Sequence, residues 1–120
     1  MIRIEDLQKH YKAVHALKGI TLSIPEGELF AYLGPNGSGK TTTIRILTGL
    51  SRPTAGEAYV HGFHIERETL QAKRQCGLVP QTINLDHELT LFENMDIHGR
   101  LFGMAAPERR RRIDELLGYI

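Results

Sequence analysis

An α/β fold is predicted by three observations on residues 28–50. Leu29-Phe30-Ala31-Tyr32-Leu33 is an unbroken apolar run of strand length, the pattern of a strand covered on both faces. Gly34-Pro35-Asn36-Gly37-Ser38-Gly39 follows with three glycines in six residues, a turn whose backbone angles most side chains forbid. Lys40-Thr41-Thr42 then opens a helical pattern reaching about Leu50, with Ile44, Leu47 and Leu50 expected on one side and Arg45 free to reach solvent.

The remaining elements follow in chain order. Ile2 to Leu7 alternates apolar and polar residues, the period of a half-buried strand. Lys9-His10-Tyr11-Lys12 reads as a polar connection, and Gly19 to Ile24 alternates again before the turn Pro25-Glu26-Gly27. These two strands predict an antiparallel layer at the start of the domain, ahead of the central strand 28–33. Pro53-Thr54-Ala55-Gly56 is a turn, and Glu57-Ala58-Tyr59-Val60 a short strand ended by His61-Gly62. A polar helix over about 66–75 leads to an expected strand Cys76-Gly77-Leu78-Val79, stopped by Pro80-Gln81. Thr90-Leu91-Phe92-Glu93 has the spacing of a capping box for a helix over about 91–102. Pro107-Glu108 opens a last helix, with Ile113, Leu116, Leu117 and Ile120 as its apolar stripe.

Composition limits the function classes. At 120 residues the chain suits one modest domain, and 41% hydrophobic with 24% charged residues is the profile of an ordinary globular protein. A net charge of +1 gives no overall field toward nucleic acid, and no nucleic-acid partner is expected. The single cysteine, Cys76, excludes an internal disulfide framework and reads as a small core residue. Apolar runs of about five residues fall far short of the ~20 needed to span a membrane. The six histidines lack metal-ligand spacing. Arg109-Arg110-Arg111-Arg112 reads as a solvated helix face, with Glu108–Arg112 and Arg110–Asp114 as i,i+4 pairs.

The glycine turn carries the chemistry. Gly34, Gly39, Lys40 and Thr41 fill the template Gly, four residues, Gly-Lys-Ser/Thr without a gap. Nucleotide phosphates carry several charges that must be desolvated and held in a fixed shape. Successive backbone N–H groups and the positive end of a helix do this. Gly34, Gly37 and Gly39 allow the wrap, Lys40 supplies a point charge for the β- and γ-phosphates, and Thr41 offers a hydroxyl to magnesium. Pro35 restricts the loop, while the backbones of Asn36 and Ser38 line it and Thr42 continues it into the helix.

Leu33 to Thr42 closely resembles the Walker A motif of ABC transporter ATP-binding subunits, and the likeness extends over the whole chain. Pro53-Thr54-Ala55-Gly56-Glu57 is similar to the family's turn and strand after the phosphate-loop helix, Leu78-Val79-Pro80-Gln81 to its Q-loop, and Leu89 to Asn94 to the start of its helical subdomain. Gly99-Arg100-Leu101-Phe102-Gly103 and the arginine-rich helix after it resemble the branch of ABC-2-type and multidrug exporters. The resemblance implies a P-loop NTPase (RecA-like) core with an N-terminal antiparallel β layer and the start of an α-helical subdomain. Residues 1–82 would form the β layer and core up to the Q-loop, and residues 89–120 the start of the helical subdomain. It implies ATP and magnesium as cofactors, Tyr11 stacking on adenine, and Gln81 touching magnesium and the attacking water. It further implies a transmembrane permease and a second ATP-binding subunit as partners, at the cytoplasmic side of the membrane.

The family's signature Ser-Gly-Gly-Gln, its Walker B strand ending in Asp-Glu and its switch histidine are not found in these residues. The reading is therefore the N-terminal part of such a subunit, able to bind ATP but without turnover by itself. A chromosome-maintenance or DNA-repair ATPase of the SMC/RecF type uses a similar loop and stands as the alternative, as does a non-catalytic nucleotide-binding module. Without a Walker B strand beside it, the run 29–33 has an apolar edge with no partner, an aggregation hazard. The isolated chain is accordingly expected to be poorly stable in solution. A sharp, cooperative thermal transition of a monomer would contradict this.

Overall fold

A computed structural model describes residues 1–82 and 85–120, which form two compact units, Met1–Val79 and Pro80–Ile120.

The first unit holds a four-stranded antiparallel sheet in the order β2-β1-β3-β4, from β1 (Ile2–Tyr11), β2 (Val14–Ile24), β3 (Ala55–Val60) and the short β4 (Phe63–His64). Residues 9–12 do not form the expected polar connection. Strand β1 continues to Tyr11, which pairs with Val14, and Lys12 closes the two-residue turn with φ +50°. Strand β2 consequently begins five residues before Gly19. The β4 strand had no signal in the sequence because two residues carry no period.

The central strand β1 contains a bulge that its own pattern announces. Ile4 and Leu7 are both fully buried although they are three apart, so one residue must be inserted between them. Asp6 is that residue, with φ +45° and its N–H donated to Thr21 Oγ1 at 3.0 Å. The pairing register shifts here against both neighbours. Two left-handed glycines flank the bulge. A methyl group at Gly56 (φ +81°) would overlap the Asp6 carbonyl, and one at Gly19 would stand 2.5 Å from Asp6 Oδ1.

Helix α1 (Lys40–Leu47) buries Thr43 and Ile46, joining Ile46 to a core of Ile4, Leu7, Leu17, Ala58, Val60, Ile65 and Ala72. This corrects the expected face. Ile44 is half exposed, and with Leu47 it lines a cavity of about 350 Å³ bounded also by Ile2, Val60, Cys76 and Leu78. The helix ends at Leu47, so Leu50 lies in the following turn and is exposed. Helix α2 (Thr69–Arg74) covers the β4 side of the sheet and contributes the buried Ala72.

Two expected strands are not formed. Residues 28–33 join no ladder, and Leu29 is fully exposed instead of lying at a sheet centre. A run of this composition needs parallel neighbours reached by crossovers, and every described strand is antiparallel and already paired elsewhere. Residues 76–79 are likewise outside the sheet, with Val79 exposed. Cys76 is therefore a half-buried residue of a connection. Its Sγ lies 3.5 Å from the Ala72 carbonyl, and burial raises its thiol pKa.

The second unit is a helical hairpin, α3 (Leu91–Leu101) and α4 (Ala106–Leu117). The capping box forms as expected: Glu93 N–H donates to Thr90 Oγ1, and Thr90 N–H to the Glu93 carboxylate. Arg110, Arg111 and Arg112 form the expected exposed face, and Arg109 departs from it. Arg109 and Ile113 are buried one turn apart on the side of α4 that meets Gly99 of α3. Arg109 Nε donates to Asp96 Oδ1 at 2.5 Å, and its Nη1 to the Met104 carbonyl at 2.8 Å. Arg111 and Arg112 both reach Glu115, replacing the expected Glu108–Arg112 and Arg110–Asp114 pairs.

Two stability predictions follow from this packing. Gly56→Ala must fit a methyl group against backbone at positive φ, so it should destabilise the sheet by about 2 kcal/mol or more. Gly62→Ala, at φ +84° but with open space around it, should cost about 1 kcal/mol. Hydrogen-exchange protection of the β1 amides measures both, and equal losses would deny the close approach. Asp96 is the pH-sensitive partner in the hairpin. The hydrogen bond from Arg109 holds its carboxyl below the ordinary value, about 3.9. A depressed folded-state pKa gives stabilisation that is present above about pH 4 and lost as pH falls through the folded value. Asp96→Asn should thus weaken the hairpin at pH 7, with the difference shrinking as pH falls below about 4. A gap independent of pH in urea unfolding would contradict the ion pair's role.

Candidate functional site

The loop 34–42 is shaped by backbone conformation. Gly37 and Gly39 have φ of +80° and +90°, where side chains are disfavoured. The Ser38 N–H closes a turn on the Pro35 carbonyl at 3.3 Å. Gly39 begins α1 without any side-chain cap. A methyl group there would overlap Leu17 Cδ2 and stand 2.8 Å from the Ala16 carbonyl, so the loop lies directly on β2 at this residue. At Gly34 a methyl group would come within 2.7 Å of Ser38 Oγ, filling the hollow of the loop.

Donors dominate this hollow. The first N–H of the helix to find a carbonyl is that of Thr43, which donates to Gly39 O at 2.9 Å, and the Thr43 hydroxyl adds a second bond at 3.0 Å. Among the described residues, the N–H groups of Gly37, Gly39, Lys40, Thr41 and Thr42 donate to no protein acceptor. The first turn of α1 carries no acidic residue to neutralise them. Lys40 Nζ crosses the loop and donates to Gly34 O at 2.5 Å, Pro35 O at 2.7 Å and Ser38 Oγ at 3.4 Å. The exposed Thr41 hydroxyl has no hydrogen bond among the described residues, leaving its oxygen available to a hard cation. A glycine cradle, unpaired N–H groups, one ammonium and one unengaged hydroxyl fit a polyphosphate with its magnesium.

Tyr11 stands at the end of β1, paired with Val14. The residue is 44% exposed, enough for one face of its ring to receive a planar ligand. Its hydroxyl lies 3.4 Å from Ser51 Oγ, and Lys9 Nζ sits 4.9 Å from its ring centroid. The hairpin end also stacks His10 on His15, with ring centroids 3.6 Å apart. Desolvation, then His10 and Lys18, hold the His15 imidazole below its ordinary pKa. The strand that meets Gly39 at Ala16 and Leu17 is the one paired with β1 here, Lys9 opposite Leu17 and His10 opposite His15. Tyr11 and the loop therefore belong to one body.

Gln81 is an exposed residue in a bend of the second unit, whereas Thr41 belongs to the first. The residues around Tyr11 escaped sequence reading. Lys9 and Tyr11 are two apart, the same-face spacing of a strand, but that signal exists only if 9–12 is read as strand. Ser51 comes from 40 residues away.

Comparison with known proteins identifies the family. Residues 17–120 match the ABC transporter family. The chain belongs to that family. It is 40% identical over 120 residues to the linearmycin resistance ATP-binding protein LnrL of Bacillus subtilis, covering 100% of this chain and 39% of that protein. It is 40% identical over 119 residues to the Nod factor export ATP-binding protein I of Ralstonia nicotianae, covering 99% of this chain and 37% of that one. A dimeric ATP-binding cassette in a post-hydrolysis state, bound to ADP and Pi, superposes with a TM-score of 0.80 at 34% identity, over 98% of this chain and 56% of that one. The ATP-binding subunit of another ABC transporter superposes at 0.82 with 32% identity, over 98% and 49%. The chain thus spans about two-fifths of the length of these curated relatives. The sheet, loop and helices are part of the α/β P-loop NTPase fold, as expected.

Proposed function

We propose that Gly34–Thr42 holds the triphosphate of ATP in the ATP-binding subunit of an ABC transporter, which couples ATP binding and hydrolysis to export or import through a partner membrane protein. The observation that carries this reading is the loop itself, with five N–H groups lacking protein acceptors beside the Lys40 ammonium. In this reading Lys40 exchanges the Gly34 and Pro35 carbonyls for phosphate oxygens, a charge-assisted bond stronger than the neutral ones it replaces. The backbone of Pro35, Asn36, Gly37, Ser38 and Gly39 wraps the phosphates, and Thr42 continues the wrap into α1. Thr41 Oγ1 and Gln81 Oε1 are assigned as ligands of magnesium. Magnesium held there would supply positive charge that neutralises the phosphate oxygens. Tyr11 covers one face of adenine.

Residues 1–82 are assigned to the β layer and phosphate-loop core, and residues 89–120 to the start of the helical subdomain. The names of the relatives, linearmycin resistance and Nod factor export, support the branch of ABC-2-type exporters. The assigned partners are a transmembrane permease and a second ATP-binding subunit. No described helix is long and apolar enough to cross a membrane, so attachment at the cytoplasmic side is assigned to the permease. The Asp-Glu pair of the 120 residues, Asp114-Glu115, lies within helix α4 and not at the end of an apolar strand where it could position water, so these residues are assigned ATP binding without turnover by themselves. Family membership favours the transporter over the SMC/RecF-type alternative.

Lys40→Ala tests the reading directly. Removing a charged hydrogen-bond partner should weaken Mg-ATP binding by roughly 10- to 100-fold, measured by calorimetry, with circular dichroism unchanged. Unaltered affinity would overturn the assigned role of the loop. Measurable ATP hydrolysis by the unmodified 120 residues would overturn the absence of turnover.

A further inference from the structure

Four hydrogen bonds tie the turn after α1 to the end of β1. Thr54 N–H donates to Gln8 O at 2.8 Å, and His10 N–H donates to Thr54 Oγ1 at 3.0 Å. Lys9 Nζ donates to Arg52 O at 2.6 Å, and the hydroxyls of Tyr11 and Ser51 lie 3.4 Å apart. Lys9 and Tyr11 are on the same side of the strand, and the Lys9 ammonium is over the Tyr11 ring at 4.9 Å from its centroid. Lys9 is half-buried and Tyr11 exposed. One face of the ring is thereby occupied by a cation whose position is fixed by a backbone carbonyl, and the ring has a single face left for a ligand.

We propose that Lys9 is a positioning residue for the base platform, setting the Tyr11 ring from behind so that its other face is presented to the nucleobase. The proposal rests on the reading of Tyr11 as that platform. Two physical effects act together. The ammonium and the Ser51 hydroxyl restrict the ring's rotation about its side-chain bonds, lowering the entropy lost when a base stacks. The cation also draws on the ring's π density, leaving the opposite face better suited to an electron-rich purine. Both effects act on base stacking alone, because the phosphates are held by a loop on another segment. Lys9 therefore changes the part of the affinity that depends on the base.

Full-chain variants titrated with Mg-ATP and with inorganic tripolyphosphate separate these terms. Lys9→Met keeps the side-chain length and removes the charge. It should weaken ATP about three- to fivefold and leave tripolyphosphate binding unchanged, while Lys9→Arg should restore most of the loss. Tyr11→Ala should weaken ATP further and also spare tripolyphosphate. Loss of ATP affinity in Tyr11→Ala but not in Lys9→Met would overturn the role of Lys9 and keep the platform. Equal losses of ATP and tripolyphosphate in Lys9→Met would reduce Lys9 to a structural brace and overturn the proposal. Unchanged ATP affinity in Tyr11→Ala would overturn the platform itself, and the proposal with it.

Discussion

The first unit depends on one close approach, the contact of Gly39 with strand β2. At this residue the chain leaves the phosphate loop, turns left-handed at φ +90° and starts α1, with no room for a side chain between it and the Ala16 carbonyl. Three requirements meet at one backbone position. The loop must close, the helix must begin without a capping side chain that would compete for its N–H groups, and helix and sheet must be close enough to share a core. Only glycine satisfies all three. Buried Leu17 and Ile46, one on each side of this contact, then carry the packing outward.

From this contact α1 acts as a rigid link between the glycine loop and the end of β1. Its first turn presents unpaired N–H groups, and the turn after its last residue is bonded to β1 through Thr54, Arg52 and Ser51. The Asp6 bulge belongs to the same construction. By inserting one residue it puts Leu7 on the core face with Ile4 and restores the alternation that carries Lys9 and Tyr11 onto one side of the strand. Glycines on both neighbouring strands leave space for it. A feature that looks like a local irregularity thus determines which face of the sheet Lys9 and Tyr11 share.

What could be read in advance follows the range of the interactions. The shape of the glycine loop was legible because it resides in local backbone angles and in residues within nine positions. The Thr90–Glu93 cap was legible for the same reason. Strands 28–33 and 76–79 were misread because an apolar run reports burial only when partners exist, and pairing is non-local. The arginine run misled because four like charges suggest a solvated face, whereas Arg109 is satisfied by Asp96, thirteen residues earlier, and by the Met104 carbonyl. On α1, helical spacing allows both the 43–46 and the 44–47 faces, and only the position of the sheet selects the first. Lys9 was missed for a compound reason: its partner carbonyl is distant, and its strand was read as ending too early.

The internal bonds of Lys40 explain how a loop of donors keeps its shape before an anion arrives. Five unpaired N–H groups and an ammonium near one helix end repel one another, and α1 supplies no acidic side chain in its first turn. The Gly34 and Pro35 carbonyls supply the missing negative charge by accepting from Nζ. They are neutral dipoles, so the compensation is partial and a phosphate oxygen displaces them readily. An acidic residue in their place would stabilise the empty loop more and bind anions less, because its full charge would have to be displaced. The sequence has none from Leu29 to Leu50. Carbonyl compensation therefore preserves the cradle's geometry while leaving most of its positive potential for the ligand, and the strength of binding comes from what the loop leaves unsatisfied.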